Sequence, residues 1–193
     1  RQKFILETFV SCGAPEEILY LNKPHIGTDI LRSVVINMRK KIEYLGGKYL
    51  FETCLKDIEI KNGKVVGIIV NDGKKMACDD LVLAIGHSAR DTYYMLNKRN
   101  IKMENKSFAV GLRIMHPQEI INDNQYNLQD KLLPAADYKL TYQTKNKRGV
   151  YTFCMCPGGV VMASASEKNT IVTNGMSYFA RDGINANSAV LVN

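Results

Sequence analysis

At 193 residues the chain is long enough for one good core or two small ones, and a hydrophobic content of 46% excludes disorder as the default. The 26 basic and 19 acidic residues leave a net charge of +7. The basic residues are spread in short clusters such as Arg39-Lys40-Lys41 and residues 145–148, which suits solvated faces rather than a nucleic-acid stripe. No apolar run approaches membrane-spanning length, nothing reads as a signal peptide, and neither nucleic acid nor membrane is an expected partner. Five cysteines, Cys12, Cys54, Cys78, Cys154 and Cys156, form an odd set without paired spacing. A reducing, cytoplasmic compartment is expected. The chain opens on Arg1 and closes on the apolar Ala189-Val190-Leu191-Val192, and it reads as a piece of a longer protein.

Phe4, Ile5, Leu6, Phe9 and Val10 predict a short first helix ended by Gly13. Pro15 suits the first turn of a second short helix through Tyr20, with Glu16 and Glu17 near its positive end. Residues 22–27 read as a loop. The clearest helix is predicted over residues 29–45, where Leu31, Val34, Val35, Met38, Ile42 and Leu45 make one apolar stripe. Thr28 is its expected cap, and Gly46-Gly47 its stop. Residues 48–53 read as a strand. Asn62-Gly63 and Asp72-Gly73 then predict two tight turns, because both central residues of a type I′ turn need positive φ. The result is a small antiparallel meander over residues 57–78 that joins the preceding helix and strand in one connected unit.

The run Leu81-Val82-Leu83-Ala84-Ile85 has no polar alternation and ends at Gly86. That pattern predicts a strand covered on both faces, as in a parallel sheet. Ser88 and Asp91 read as a capping box, so a helix is expected over residues 88–96. Gly86 and His87 would then lie beyond the carboxyl end of a strand, where open α/β sheets bind ligands. Past Lys106 the style changes. Strands are expected over residues 107–115, 138–144, 149–156 and 159–165, with a short helix after Pro117 and a type II turn at Pro157-Gly158. The fold class expected is α/β, in a mixed α+β form, with the later region mostly antiparallel.

Neither G-x-G-x-x-G nor G-x-x-x-x-G-K-[ST] occurs, so the chain has no complete phosphate-cradling loop of its own. The three histidines, His25, His87 and His116, show no metal-ligand spacing, and metal binding is not expected. His87 has two readings: a loop histidine with a satisfied hydrogen bond, or a contact to a cofactor ring or pyrophosphate. Cys154 and Cys156 stand two apart, so a strand would turn both thiols to one face. A structural role is favoured there, although Cys156, beside Pro157-Gly158-Gly159, is placed to approach a ligand closely.

Several segments together carry a family likeness. They are Gly13-Ala14-Pro15-Glu16-Glu17-Ile18-Leu19-Tyr20, Lys23-Pro24-His25-Ile26-Gly27-Thr28-Asp29, Leu83-Ala84-Ile85-Gly86-His87-Ser88-Ala89-Arg90-Asp91, Phe153-Cys154-Met155-Cys156-Pro157-Gly158-Gly159 and Asn174-Gly175-Met176-Ser177. The chain resembles the bacterial FAD-dependent dehydrogenases of unknown substrate, two-domain flavoproteins, over nearly its whole length. The resemblance implies a partial FAD-binding domain over residues 1–105, an inserted substrate-type domain over 106–164 and a return segment over 165–193. It places Thr53, Cys54 and Leu55 by the adenine of FAD and Gly86, His87 and Ser88 against the cofactor. It also places Lys23 to Asp29 along the flavin or the substrate pocket. His87 and His25 are the first catalytic candidates, Cys156 the third. A small-molecule substrate and a reduced nicotinamide donor, NAD(P)H, are the implied partners, together with the remaining segments of the parent chain.

The sequence departs from the family's pattern in lacking the opening strand, glycine fingerprint and helix that hold the pyrophosphate. FAD is therefore expected in the parent protein and not necessarily in this segment alone. The leading reading is the central fragment of a FAD-dependent oxidoreductase. The alternative is a non-catalytic binding or interaction module without a cofactor.

Overall fold

The computed structural model describes residues 2–71, 73–127 and 132–193. Among the described residues, four α-helices and antiparallel sheets make up a mixed α+β fold. The chain divides into two compact units, one of residues 1–47 with 107–193 and one of residues 48–106.

The first unit opens with α1 (Gln2–Ser11), a 3-10 turn (Glu16–Leu19) and α2 (Thr28–Tyr44). Their shared core is Cys12, Ala14, Ile18 and Val34, with Phe9, Ile30 and Met38 packed on it. Cys12 acts there as a small hydrophobe, and the Asn37 side-chain amide closes the turn by donating to its carbonyl oxygen at 2.9 Å. The covered face of α2 is the row Ile30, Val34, Met38, while Leu31, Val35 and Ile42 of the expected stripe stay open to solvent. Gly27, not Thr28, caps α2, with φ +84. Thr28 is the first helical residue and sends its hydroxyl to the Ser177 carbonyl at 3.3 Å.

The second unit is the meander β1 (Leu55–Lys61), β2 (Lys64–Val70) and β3 (Lys74–Ala77), with α3 (Arg90–Lys98) packed on β1. Ile58, Val70 and Leu96 are its buried apolar residues. Asn62 and Gly63 take φ +52 and +75, as the first expected turn requires. In the second turn Gly73 takes φ +98, and Asp72 lies outside the described residues.

Three expectations for this unit change. Residues 48–53 are not a strand: Phe51 and Glu52 form a turn, and the Asn71 side chain bonds Cys54 N–H at 2.8 Å and the Glu52 carbonyl at 3.1 Å. Those bonds satisfy backbone groups that a partner strand would have taken. Residues 81–85 are not a strand either. Among the described residues every sheet pairing is antiparallel, and none of the meander strands pairs with this run, while Val82 is 87% exposed. The Ser88–Asp91 capping box is not formed. The helix begins at Arg90 behind Ala89, with no side-chain cap, and the Ser88 hydroxyl lies instead 3.3 Å from His87 Nδ1.

The rest of the first unit is a four-stranded sheet in the order β4 (Val110–Pro117), β9 (Asn185–Val192), β6 (Gly149–Cys156), β5 (Thr141–Gln143). Helix α4 (Gln118–Tyr126) follows β4 directly. The strands β7 (Gly159–Ala163) and β8 (Thr173–Ser177) pair with each other. Pro157-Gly158 does turn the chain, with Gly158 at φ +53. The strands on either side of it join different sheets and do not form a hairpin.

Candidate functional site

In a sheet, residues directly opposite across a ladder share a face. The register therefore sorts the sheet of β4, β9, β6 and β5 into two surfaces. Ile114 faces Ser188, His116 faces Ala186, and Val190 faces Thr152 on one side. Arg113 with Ala189, Met115 with Asn187, and Phe153 with Ala189 form the other.

The first surface carries a cavity of about 480 Å³, within the range of small-molecule sites, lined among others by Ile114, Ile121, Tyr142, Val150 and Val190. His116 and Tyr138 also line it. His116 Nδ1 is 2.8 Å from the Ala186 carbonyl oxygen and Nε2 is 3.0 Å from the Tyr138 hydroxyl. A carbonyl only accepts, so Nδ1 carries a proton, and Nε2 shares a hydrogen bond with the tyrosine hydroxyl. The two rings meet edge to face at 5.6 Å. Burial raises the Tyr138 phenol above its ordinary value, and a side-chain hydrogen bond with Ser188 partly offsets this.

The second surface holds a buried polar cluster. Arg113 interrupts an apolar strand and sends Nη1 to Asn187 Oδ1 at 2.7 Å and to the Cys154 carbonyl at 3.2 Å. An arginine only donates, so this contact fixes the Asn187 amide, with its oxygen towards Arg113 and its nitrogen turned away. Asn187 is completely buried, and neither its Nδ2 nor Arg113 Nε has a partner among the described residues. Each such donor left unmade costs about 1–3 kcal/mol. Gly175 of β8 lies over the cluster. A Cβ there would collide with Arg113 Nη1 and Asn187 Oδ1 and stand 2.8 Å from Cys156 Sγ.

Cys156 completes the cluster. The register of β6 against β9 slips between Phe153 and Cys156, and Cys154 takes φ +49. This bulge breaks the alternation on which a shared thiol face would depend: Cys154 is exposed and Cys156 buried, both as free thiols. The Cys156 thiol donates to the Cys154 carbonyl at 3.4 Å. Burial first, then the neighbouring Cys154, push the Cys156 thiol up to about 11, and the Arg113 guanidinium opposes without reversing this. Cys156 is thus a neutral thiol at pH 7, poorly suited to nucleophilic attack.

The other residues singled out in the sequence fall in different places. His25 Nε2 is 3.0 Å from the Tyr178 carbonyl, and its ring lies parallel to Phe179 at 6.4 Å. Asp29 accepts the Phe179 N–H at 3.0 Å. Desolvation works against the Asp29 carboxylate, but the Phe179 and Ile30 amides outweigh it and hold its pKa below the usual value. Gly27 takes φ +84, and a Cβ there would run into the Phe179 backbone. His25, Gly27, Thr28 and Asp29 thus hold residues 177–179. No hydrogen bond or ring contact links His25 to Cys156 among the described residues.

Thr53, Cys54, Leu55, Gly86, His87 and Ser88 all belong to the unit of residues 48–106. Thr53 bonds the Phe51 carbonyl at 2.9 Å, and Leu55 begins β1 opposite Val70. The Gly86 carbonyl accepts the Tyr93 hydroxyl at 2.6 Å. Gly86 has φ +67, with nothing within 4 Å of where a Cβ would stand, and His87 is exposed. Among the described residues no three His, Cys, Asp or Glu side chains gather to hold a metal ion. No helix of the described residues is long and apolar enough to cross a membrane.

Residues 107–193 match the family described as FAD-dependent protein, C-terminal domain-like. The chain is also 56% identical over 195 residues to an uncharacterized protein of Clostridium beijerinckii, a match covering all of this chain and 36% of that protein. It thus spans about a third of that relative's length. The region similar to the FAD-dependent family contains the cavity with its His116–Tyr138 pair and the whole Arg113–Asn187–Gly175–Cys156 cluster.

Sequence reasoning ranked His116 below His87, passed over Arg113 and Asn187, and noticed Gly175 only within a family-like segment. The signal for Arg113 was present as a lone charge in Val110-Gly111-Leu112-Arg113-Ile114-Met115. A charge inside an apolar strand is placed there by a partner. Tyr138 and Asn187 gave no such signal, because their partners lie 22 and 74 residues away.

Proposed function

We propose that the protein is the central part of a FAD-dependent oxidoreductase acting on a small molecule, in the cytoplasm. The observation that carries this reading is the match of residues 107–193 to the C-terminal domain of FAD-dependent proteins. The residues proposed to hold the cofactor are Thr53, Cys54, Leu55, Gly86, His87 and Ser88. Their fit is supported at Gly86, where a left-handed, exposed backbone with open space around it permits close approach of a ligand. The phosphate-cradling loop is absent from this sequence, so the pyrophosphate is assigned to other segments of the full-length protein.

When bound, the flavin supplies the acceptor for a hydride or electrons, with a reduced nicotinamide as the proposed donor. This chain's own task is to orient the reactants and exclude water. The cavity beside His116 and Tyr138 is the proposed substrate pocket. There the Ala186 carbonyl holds a proton on Nδ1, and the Tyr138 hydroxyl and Nε2 face each other at 3.0 Å at the edge of the cavity.

The test is a visible absorption spectrum of the full-length protein, as purified and after adding FAD. A flavin spectrum is expected, and Gly86→Val is expected to lose most of the bound flavin, since valine cannot take φ +67 without strain. A well-folded, colourless protein that does not take up FAD would overturn the reading in favour of a binding module.

A further inference from the structure

Strands β4, β9, β6 and β5 turn Ile114, Val190, Val150 and Tyr142 to one face of their sheet, and all four line the cavity beside His116 and Tyr138. Ile121 of α4 and Leu140 extend that apolar lining. Leu140 and Tyr142 are exposed, so the apolar lining continues to the protein surface. No lysine, arginine, aspartate or glutamate lines the cavity among the described residues. We propose that the cavity takes an uncharged, largely apolar molecule as substrate.

Charge selects the ligand class. The Thr152 hydroxyl is already held by the Leu140 backbone, accepting its N–H at 2.8 Å and donating to its carbonyl at 3.3 Å. The Asn124 amide donates to the Ile120 carbonyl at 2.7 Å. Both His116 ring nitrogens have partners, the Ala186 carbonyl and the Tyr138 hydroxyl. A carboxylate or phosphate entering this lining would lose its hydration and meet no guanidinium or ammonium in return, and an amine would meet no carboxylate. An apolar ring system has no such cost, and it covers apolar surface that otherwise faces water. This substrate class rests on the reading of the cavity as the substrate pocket. A reduced nicotinamide, with its phosphates, is then assigned to a different place.

The experiment is a calorimetric titration of the full-length protein at neutral pH with three probes that share one ring system. They are 2-naphthol, which is uncharged, 2-naphthoate, an anion, and 2-naphthylmethylamine, a cation. Saturable binding of 2-naphthol is expected, with both charged probes weaker at least about tenfold. Leu140→Lys sets an ammonium group at the cavity from an exposed position. The preference for 2-naphthol over 2-naphthoate is expected to fall at least about threefold there. Tyr142→Lys, also at an exposed lining position, is expected to act in the same direction. These variants separate the cavity from any other surface that binds aromatic rings, a bound flavin included.

Absence of 2-naphthol binding, or equal binding of the three probes, would overturn the proposal. An unchanged preference in the lysine variants would overturn it as well, because the probe would then bind outside the cavity. Should one variant fail to fold, the other decides. The visible spectrum of the same samples keeps the two readings apart. A colourless protein that prefers 2-naphthol and responds to Leu140→Lys would retain the ligand class and lose the flavin. A yellow protein indifferent to 2-naphthol would retain the flavin and lose the ligand class.

Discussion

Two arginines, one in each unit, meet opposite fates. Arg99 lies near the surface and grips Asp57 side-on, with Nε on Oδ1 at 2.7 Å and Nη2 on Oδ2. Its hydrogen bonding pulls the Asp57 carboxyl below its ordinary value, and Asp57 in turn raises Arg99. Arg113 is half-buried beside the buried Asn187 and Cys156, with Asn187 and a backbone carbonyl as its acceptors and no carboxylate among the described residues. The complete pair stands where solvent screens it, and exposed pairs add little. The incomplete set stands where each missing bond is costly. Stability alone would favour the reverse arrangement.

The sharpest contrast with an ordinary surface group is expected at Cys156. Its thiol, moved from 9.0 to about 11, holds about a hundredfold less thiolate at neutral pH than an unperturbed cysteine. In alkylation with iodoacetamide followed by peptide mass spectrometry, Cys156 should react slower by at least that factor. Arg113→Met removes the opposing charge and should slow it further. Reaction of Cys156 at the rate of a free thiol would mean that burial does not govern the cluster.

Next in size is Gly175→Ala. The new methyl group has no room beside Arg113, Asn187 and Cys156, and overpacking of this kind costs about 1–3 kcal/mol. A lowered urea midpoint with an unchanged slope is expected. An unchanged midpoint would show that β8 shifts freely and that the cluster is not tightly held.

The smallest change belongs to Asp57→Asn. The folded carboxyl titrates below 3.8, so the stability from the pair is full above the unfolded value and disappears as pH falls through the lower, folded one. Amide protection in residues 48–106, taken relative to the intrinsic exchange rate at each pH, should therefore fall below about pH 4 in the wild type. Asp57→Asn should show little of that dependence and only a slight loss at neutral pH. A large loss at pH 7 would reverse the ranking of the two arginines.

Local chemistry was the part of this molecule most legible in the sequence. The Asn62-Gly63 turn, the stop at Gly46-Gly47, the helix after Pro117 and the bounds of β6 all rest on neighbours within a few residues. Residues 81–85 show the limit. Their composition suits a strand in a buried parallel sheet, but a strand exists only where another strand takes its hydrogen bonds, and neither β1, β2 nor β3 does so. The candidate site was harder to read still. Asn187 and Arg113 meet only because β4 and β9 pair across more than 70 residues of chain, and Cys154 and Cys156 diverge in exposure only because a bulge interrupts the period. Alternation cannot announce its own interruption.

The order of the four-stranded sheet also dictates when it can form. Strand β9 lies between β4 and β6, and both pair along its length, yet it follows them in the chain. During synthesis β4 and β6 must wait without their common partner until residues 185–192 emerge from the ribosome. Closing loops of that length makes the step slow, in the range of milliseconds to seconds typical of non-local β topologies. Through that interval the edges of β4 and β6 that β9 will cover are open to other chains, the kind of transient exposure that invites misassembly.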